Sequence, residues 1–178
     1  MSSSQLNNVL SLAPASQFAR VPRILLLEDS PGEAELFCEA LVLAWRSAGC
    51  GSEASRPGIE VRHTAQDALN SLRKRAEPET SNLPELVVLD LDLPGRTSLT
   101  FLHELRRDPR VASLPVIVMA WSDEPVMACT LNGLGVAGYF VKPLRFADLL
   151  IMVGDICRTW LPVDRRRELC LLNGEQNI

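Results

Sequence analysis

An α/β fold of five parallel strands alternating with five helices, stacked in three layers, is predicted here by three observations. Short apolar runs end in charged residues at Glu28-Asp29, Asp90 and Lys142, amphipathic stretches lie between the runs, and clusters of breakers punctuate the chain. Such alternation needs right-handed crossovers that return the chain to the same sheet edge. Helices then cover both faces and all strand C-termini share one edge. Open α/β sheets bind their ligands at that edge.

Arg23-Ile24-Leu25-Leu26-Leu27 reads as a fully buried strand running into Glu28 and Asp29. Ser30 as N-cap, Pro31 at the first helical position and Glu33 as capping-box acid start a helix with the face Phe37, Leu41 and Ala44, ending near Gly49. After a loop over 49–58, Ile59–His63 alternates as the second strand, and Thr64 with Asp67 caps a helix carrying Ala68, Leu69 and Leu72. A polar loop leads to the third strand, Leu86–Leu89, which ends at Asp90, and Leu93-Pro94-Gly95 turns the chain. The third helix, Leu99–Arg107, stops before Asp108-Pro109. Pro115–Met119 is the fourth strand, residues 123–134 the fourth helix, Gly138–Val141 the fifth strand and Phe146–Trp160 the last helix. The expected organisation is a flexible N-terminal arm over 1–21, a domain over 22–161 and a tail over 162–178.

The chain's 178 residues, 47% hydrophobic and 22% charged, suit one core. A net charge of -4 gives no general attraction to nucleic acid or an anionic membrane. Arg165-Arg166-Arg167, beside Asp164 and Glu168, reads as a solvated segment. No apolar stretch reaches the roughly 18 residues of a membrane span. The first residues lack a basic stretch followed by an apolar run, so no secretory signal and a cytoplasmic location are expected. Cys38, Cys50, Cys129, Cys157 and Cys170 lack CxxC spacing and support neither a disulfide framework nor a zinc site. His63 and His103 are isolated, and Trp45 and Trp160 read as packing residues. The tail falls far short of the roughly 50 residues of a domain, so output is expected to pass through protein contacts.

Glu28-Asp29, Asp90 and Lys142-Pro143, each following a hydrophobic strand, resemble the receiver domain of two-component response regulators over about residues 22–160. The run ILLLEDSPGEA at 24–34 is most similar to the small stand-alone regulators associated with bacteriophytochromes. The resemblance implies a flavodoxin-like (βα)5 sandwich of strand order 2-1-3-4-5, as in chemotaxis receivers. It further implies a phosphoacceptor at Asp90, a phosphate-contacting Lys142, and Mg2+ held by Glu28, Asp29, Asp90 and the backbone carbonyl of Asp92. Its implied partners are a sensor histidine kinase or phosphotransfer protein as donor, and a second copy docking through the face of helix 4, strand 5 and helix 5. Residue chemistry agrees with it. Carboxylates crowded at strand ends repel one another and suit a hard divalent cation. A flexible lysine can follow a phosphoryl group that is absent before reaction, although a plain salt bridge to the acids is equally compatible with the resting state.

Three switch positions depart from the family pattern or bear on it. Ala120 stands where the family has a Thr or Ser hydroxyl on the phosphoryl group, a lost contact worth about 1.5–3 kcal/mol. Trp121 follows where a small residue is common and is expected to crowd the space that Tyr139 or the phosphoryl donor would need, restricting access. Ser122 is a candidate substitute hydroxyl, while Thr97 and Ser98 replace an acid and a glycine and are expected to make that loop less standard. These changes raise a second reading, a degenerate receiver that binds partners independently of phosphate. A third, in another functional class, takes Asp90-Leu91-Asp92 as the Asp-x-Asp nucleophile of haloacid-dehalogenase-type phosphatases. That motif usually sits on a first strand, whereas a complete βαβα segment precedes it here.

Overall fold

The computed structural model describes residues 21–47, 56–78, 82–122 and 130–161, with the side chain of Arg96 left out. The N-terminal arm, most of the fourth helix, the tail with Arg165–Arg167, and Cys50, Cys129 and Cys170 lie outside the described residues. The strands are β1 (Arg23–Leu27), β2 (Gly58–Arg62), β3 (Leu86–Asp90), β4 (Val116–Ala120) and β5 (Gly138–Val141). The helices are α1 (Pro31–Ser47), α2 (Ala65–Arg75), α3 (Thr97–Arg107) and a final helix, Phe146–Trp160, while residues 130–133 are also helical. All four strand pairings are parallel, in the order β2-β1-β3-β4-β5. This is the expected flavodoxin-like arrangement.

The two-residue period of a strand divides the core into two layers. Ile24 and Leu26 of β1, Leu86 and Val88 of β3, and Ile117 and Met119 of β4 pack with Phe37, Leu41 and Trp45 of α1 and Val153 and Ile156 of the final helix. Leu25, Leu27, Val87, Leu89, Val116 and Val118 face the other way, onto Leu69 and Leu72 of α2 and Phe101, Leu102 and Leu105 of α3. Strands covered on both faces need no polar alternation, which is why β1, β3 and β4 read as unbroken apolar runs. The same parity decides where the charged residues beyond the strands point. Glu28 continues the row of Ile24 and Leu26, Asp90 that of Leu86 and Val88, and Lys142 that of Phe140, all on the α1 side. Asp29 is one residue out of phase.

Several boundaries differ from expectation. β2 and β4 each lie one residue from the expected register: β2 starts at Gly58 and stops before His63, and β4 starts after Pro115, whose carbonyl still accepts from Val87 N at 3.0 Å. α3 begins at Thr97, two residues early, because a 3-10 turn over Pro94–Arg96 with Gly95 at φ +70° aims the chain into it. The Thr64 cap on α2 is as expected: its hydroxyl oxygen accepts from Asp67 N at 3.1 Å. The capping box at α1 is not. Ser30 Oγ accepts from Glu33 N at 3.4 Å, but Ser30 N donates to Glu28 Oε1 at 3.0 Å, and the Glu33 carboxylate is drawn away to Lys142.

One guanidinium fastens the far side of the sheet. Arg106 of α3 donates to the carbonyls of Ala112, Leu134 and Gly135 at 2.9 Å and of Leu114 at 3.0 Å, joining the turns that precede β4 and β5. Arg106→Met keeps the aliphatic stem but strips four carbonyls of a charged donor. It should lower the unfolding free energy in urea by about 2–3 kcal/mol. A change no larger than that of Arg158→Met, which breaks only an exposed pair with Asp155, would show that the clamp carries no stability.

Candidate functional site

Four charged side chains from different parts of the chain meet at the C-terminal sheet edge. β1 delivers Glu28, β3 delivers Asp90, the residue after β5 is Lys142, and the first turn of α1 adds Glu33. Lys142 Nζ lies 3.1 Å from Glu28 Oε2, 3.0 Å from Asp90 Oδ1 and 2.6 Å from Glu33 Oε2. The side chains of Lys142, Glu28 and Asp90 are only 8%, 3% and 4% exposed, so this is a desolvated cluster. Asp29 is exposed beside it, and Glu28, Asp29 and Asp90 each offer an oxygen within 4.8 Å of the others.

Backbone contacts hold the acids in place. Asp92 N donates to Asp90 Oδ1 at 3.0 Å, a local turn that fixes the carboxylate. Behind it, the fully buried Ser98 hydroxyl sits 2.9 Å from the carbonyls of both Asp90 and Leu91. Ser98, expected to loosen this loop by replacing a glycine, instead supplies the donor that ties the loop to α3. His63 approaches from α2's side, its Nδ1 2.8 Å from the Glu28 carbonyl, and because a carbonyl only accepts, Nδ1 carries the proton.

The switch positions are placed as follows. Ala120 is buried and closes β4 without a polar side chain. Trp121 does not fill the interior. It is 49% exposed, and its ring lies against Lys142, with Nζ 5.4 Å from the centroid. Its backbone N donates to Asp92 Oδ2 at 2.9 Å, so the Asp92 side chain, given no role by the sequence, caps the end of β4. Tyr139 packs with the α2–α3 layer and its hydroxyl donates to the Ser122 carbonyl; Ser122 itself is exposed. Glu33 is the charged group that sequence reasoning assigned elsewhere. Its position five residues after Glu28, in a helix starting at the charged edge, was the available signal.

The electrostatics follow from burial and crowding. Burial pushes Glu28 above its ordinary 4.5 and the Asp90 charge adds to it, against the downward pull of the Ser30 N–H and of Lys142. Burial alone would lower Lys142, but hydrogen bonds to Glu33 and Asp90 and the charges of Asp90 and Glu28 outweigh it and hold the ammonium above its ordinary 10.5. Lys142 is therefore charged, and its partners stay crowded. An all-oxygen set of acids, one of them resisting ionisation, is chemistry that a hard divalent cation relieves.

A sequence profile described as "Response regulator receiver domain" matches residues 50–154, more than half of the chain. The chain belongs to the response regulator receiver family. Response regulator Rcp1 of Synechocystis sp. is 29% identical over 138 residues, spanning 78% of this chain and 88% of Rcp1. The probable methanogenesis regulatory protein FilR2 of Methanothrix harundinacea is 32% identical over 144 residues, spanning 80% of this chain and 85% of FilR2. Among solved structures, the phosphorylated cyanobacterial phytochrome response regulator RcpA superposes with a TM-score of 0.65 at 26% identity, covering 79% of this chain and 94% of that one. The Mn(2+)-bound form of Rcp1 superposes with a TM-score of 0.63 at 28% identity, with the same coverage. Receiver membership leaves the phosphatase reading without support, and Asp92, the second acid of its motif, is spent on the Trp121 amide. No helix among the described residues is long and apolar enough to cross a membrane.

The Glu28 shift gives this receiver a pH signature. A carboxyl raised by folding binds its proton more tightly in the native chain. Its contribution therefore favours the fold at low pH and is lost as pH rises from the unfolded value, 4.5, through the higher folded one. Lys142, also raised but from a far higher ordinary value, contributes throughout that window and loses its contribution only in alkali. With chelator present, the stability of wild type relative to Glu28→Gln, read from urea midpoints, should fall as pH rises above 4.5. Parallel profiles for the two proteins would contradict the crowding described above.

Proposed function

We propose that this receiver, a domain over residues 22–161, accepts a phosphoryl group on Asp90 from a sensor histidine kinase or phosphotransfer protein and signals through protein contacts in the cytoplasm. The observation that carries the reading is the Lys142 ammonium held 3.0 Å from a buried Asp90 whose neighbours are Glu28 and Asp29. Both the Lys142 and the Asp92 N–H contacts fall on Asp90 Oδ1, which leaves Oδ2 as the attacking oxygen. An Oδ2–P bond forms as the N–P bond of the phosphohistidine breaks. The bonding pair returns to the imidazole nitrogen, which takes up a proton, and Asp90 becomes an acyl phosphate. Lys142 balances charge on the transferring oxygens.

Glu28, Asp29, Asp90 and the backbone carbonyl of Asp92 would hold the divalent cation, read here as Mg2+, a reading supported by the oxygen-only donor set and by the Mn(2+)-bound form of Rcp1. When bound, such an ion neutralises charge on phosphoryl oxygens. That Rcp1 and FilR2 are matched over 88% and 85% of their own lengths supports output through protein contacts. Homodimerisation through the face of helix 4, strand 5 and helix 5 belongs to the same reading.

Ala120 favours a second reading, a receiver that engages partners without being switched by phosphate, because β4 offers the phosphoryl group no hydroxyl. One experiment separates the two. Incubation with Mg2+ and acetyl phosphate should add a single phosphoryl mass to the intact wild-type protein and none to Asp90→Asn. Wild-type protein of unchanged mass would transfer the case to the second reading.

A further inference from the structure

Lys142 has three N–H bonds, and three carboxylates take them: Asp90 Oδ1 at 3.0 Å, Glu28 Oε2 at 3.1 Å and Glu33 Oε2 at 2.6 Å. A phosphoryl group arriving on Asp90 brings about two negative charges and three acceptor oxygens. It gains an N–H from Lys142 only if a carboxylate gives one up. The three are not equally easy to release. Glu28 is 3% exposed and would be left as a stranded buried charge, and Asp90 is the carrier itself. Glu33 is 35% exposed on the first turn of α1, where water can replace the ammonium and the helix N-terminus still favours a negative charge.

Helix capping does not account for where Glu33 points. The Ser30 N–H that a capping-box acid would accept is taken by Glu28 Oε1 at 3.0 Å. The Glu33 carboxylate turns instead to the shortest of the three Lys142 contacts. It borders a hollow of about 70 Å³ shared with Leu36, Phe37, Trp121 and Lys142, which leaves the Lys142 side chain room to shift as its partner changes.

We propose that Glu33 is a positioning residue that restrains Lys142 in the resting protein and yields it to the phosphoryl group, so that it slows phosphorylation and shortens the life of the phosphorylated form. The inference rests on the reading of Asp90 as acceptor and extends it to the regulation of the same site. With no hydroxyl at Ala120, the exchange of Lys142 from Glu33 to phosphate is the rearrangement that the side chains on the α1 face provide.

The test follows intact mass in the full chain, with Mg2+ and a range of acetyl phosphate concentrations. It compares wild type, Glu33→Gln, Glu33→Asp and Glu39→Gln, the last an exposed position of the same helix that matches the change in charge. Glu33→Gln should label Asp90 about tenfold faster at the plateau, as expected for freeing one charge-assisted hydrogen bond, and should lose its label more slowly. Glu33→Asp, which keeps the charge on a shorter stem, should fall between Glu33→Gln and wild type, and Glu39→Gln should match wild type. Mere loosening of α1 would lower the rate. A Glu33→Gln rate equal to that of Glu39→Gln, or below wild type, overturns the proposal and leaves Asp90 as acceptor. Failure of every variant to label overturns both.

Discussion

Carboxylates do not gather out of water unless something holds them. Two like charges about 4 Å apart repel by about 4 kcal/mol at the effective dielectric of a protein near its surface, and burial adds a desolvation cost for each. Glu28 and Asp90 meet both conditions, and the Lys142 ammonium between them, with Glu33 as its third partner, is what makes the arrangement tolerable. The cluster contributes little net stability, since a buried ion pair seldom repays its desolvation. In the proposed function its value lies in exchanging partners, a cation taking over the acids and a phosphoryl group taking over the lysine.

The fold supplies this cluster through parity. A parallel sheet of order β2-β1-β3-β4-β5 sets the C-terminal ends of β1 and β3 side by side, and the alternation that sends Ile24, Leu26, Leu86 and Val88 toward α1 sends Glu28 and Asp90 the same way. Asp29, out of phase by one, stands exposed on the α2–α3 side, where it borders a cleft with His63, Thr97 and Glu104. The acid pair is therefore asymmetric. Glu28 is committed to Lys142 and the Ser30 amide, while Asp29 remains open to what arrives from solvent.

What the sequence conveyed and what it withheld divide along the range of the interactions. Strand and helix identities came from runs and periods that are local, and the described elements follow them with shifts of one or two residues at β2, β4 and the start of α3. Glu28, Asp29, Asp90 and Lys142 were visible because each follows an apolar strand. Glu33 was misread as a capping acid because the competing attraction comes from Lys142, 109 residues away. Ser98 looked like a defect in a glycine position until its hydroxyl was found on the Asp90 and Leu91 carbonyls. Trp121 looked like a plug, but its ring lies outside on Lys142. In each case a local rule was correct for an isolated segment and was overruled by a partner from another element.

The most direct measurement of the central claim is the anomalous scattering of Mn2+ in crystals of the full chain. A single strong peak bounded by the carboxylates of Glu28, Asp29 and Asp90, and lost in Asp90→Asn, is the result that a shared charge-compensated pocket predicts. Manganese bound elsewhere, or the three acids found apart with Lys142 turned to solvent, would contradict it.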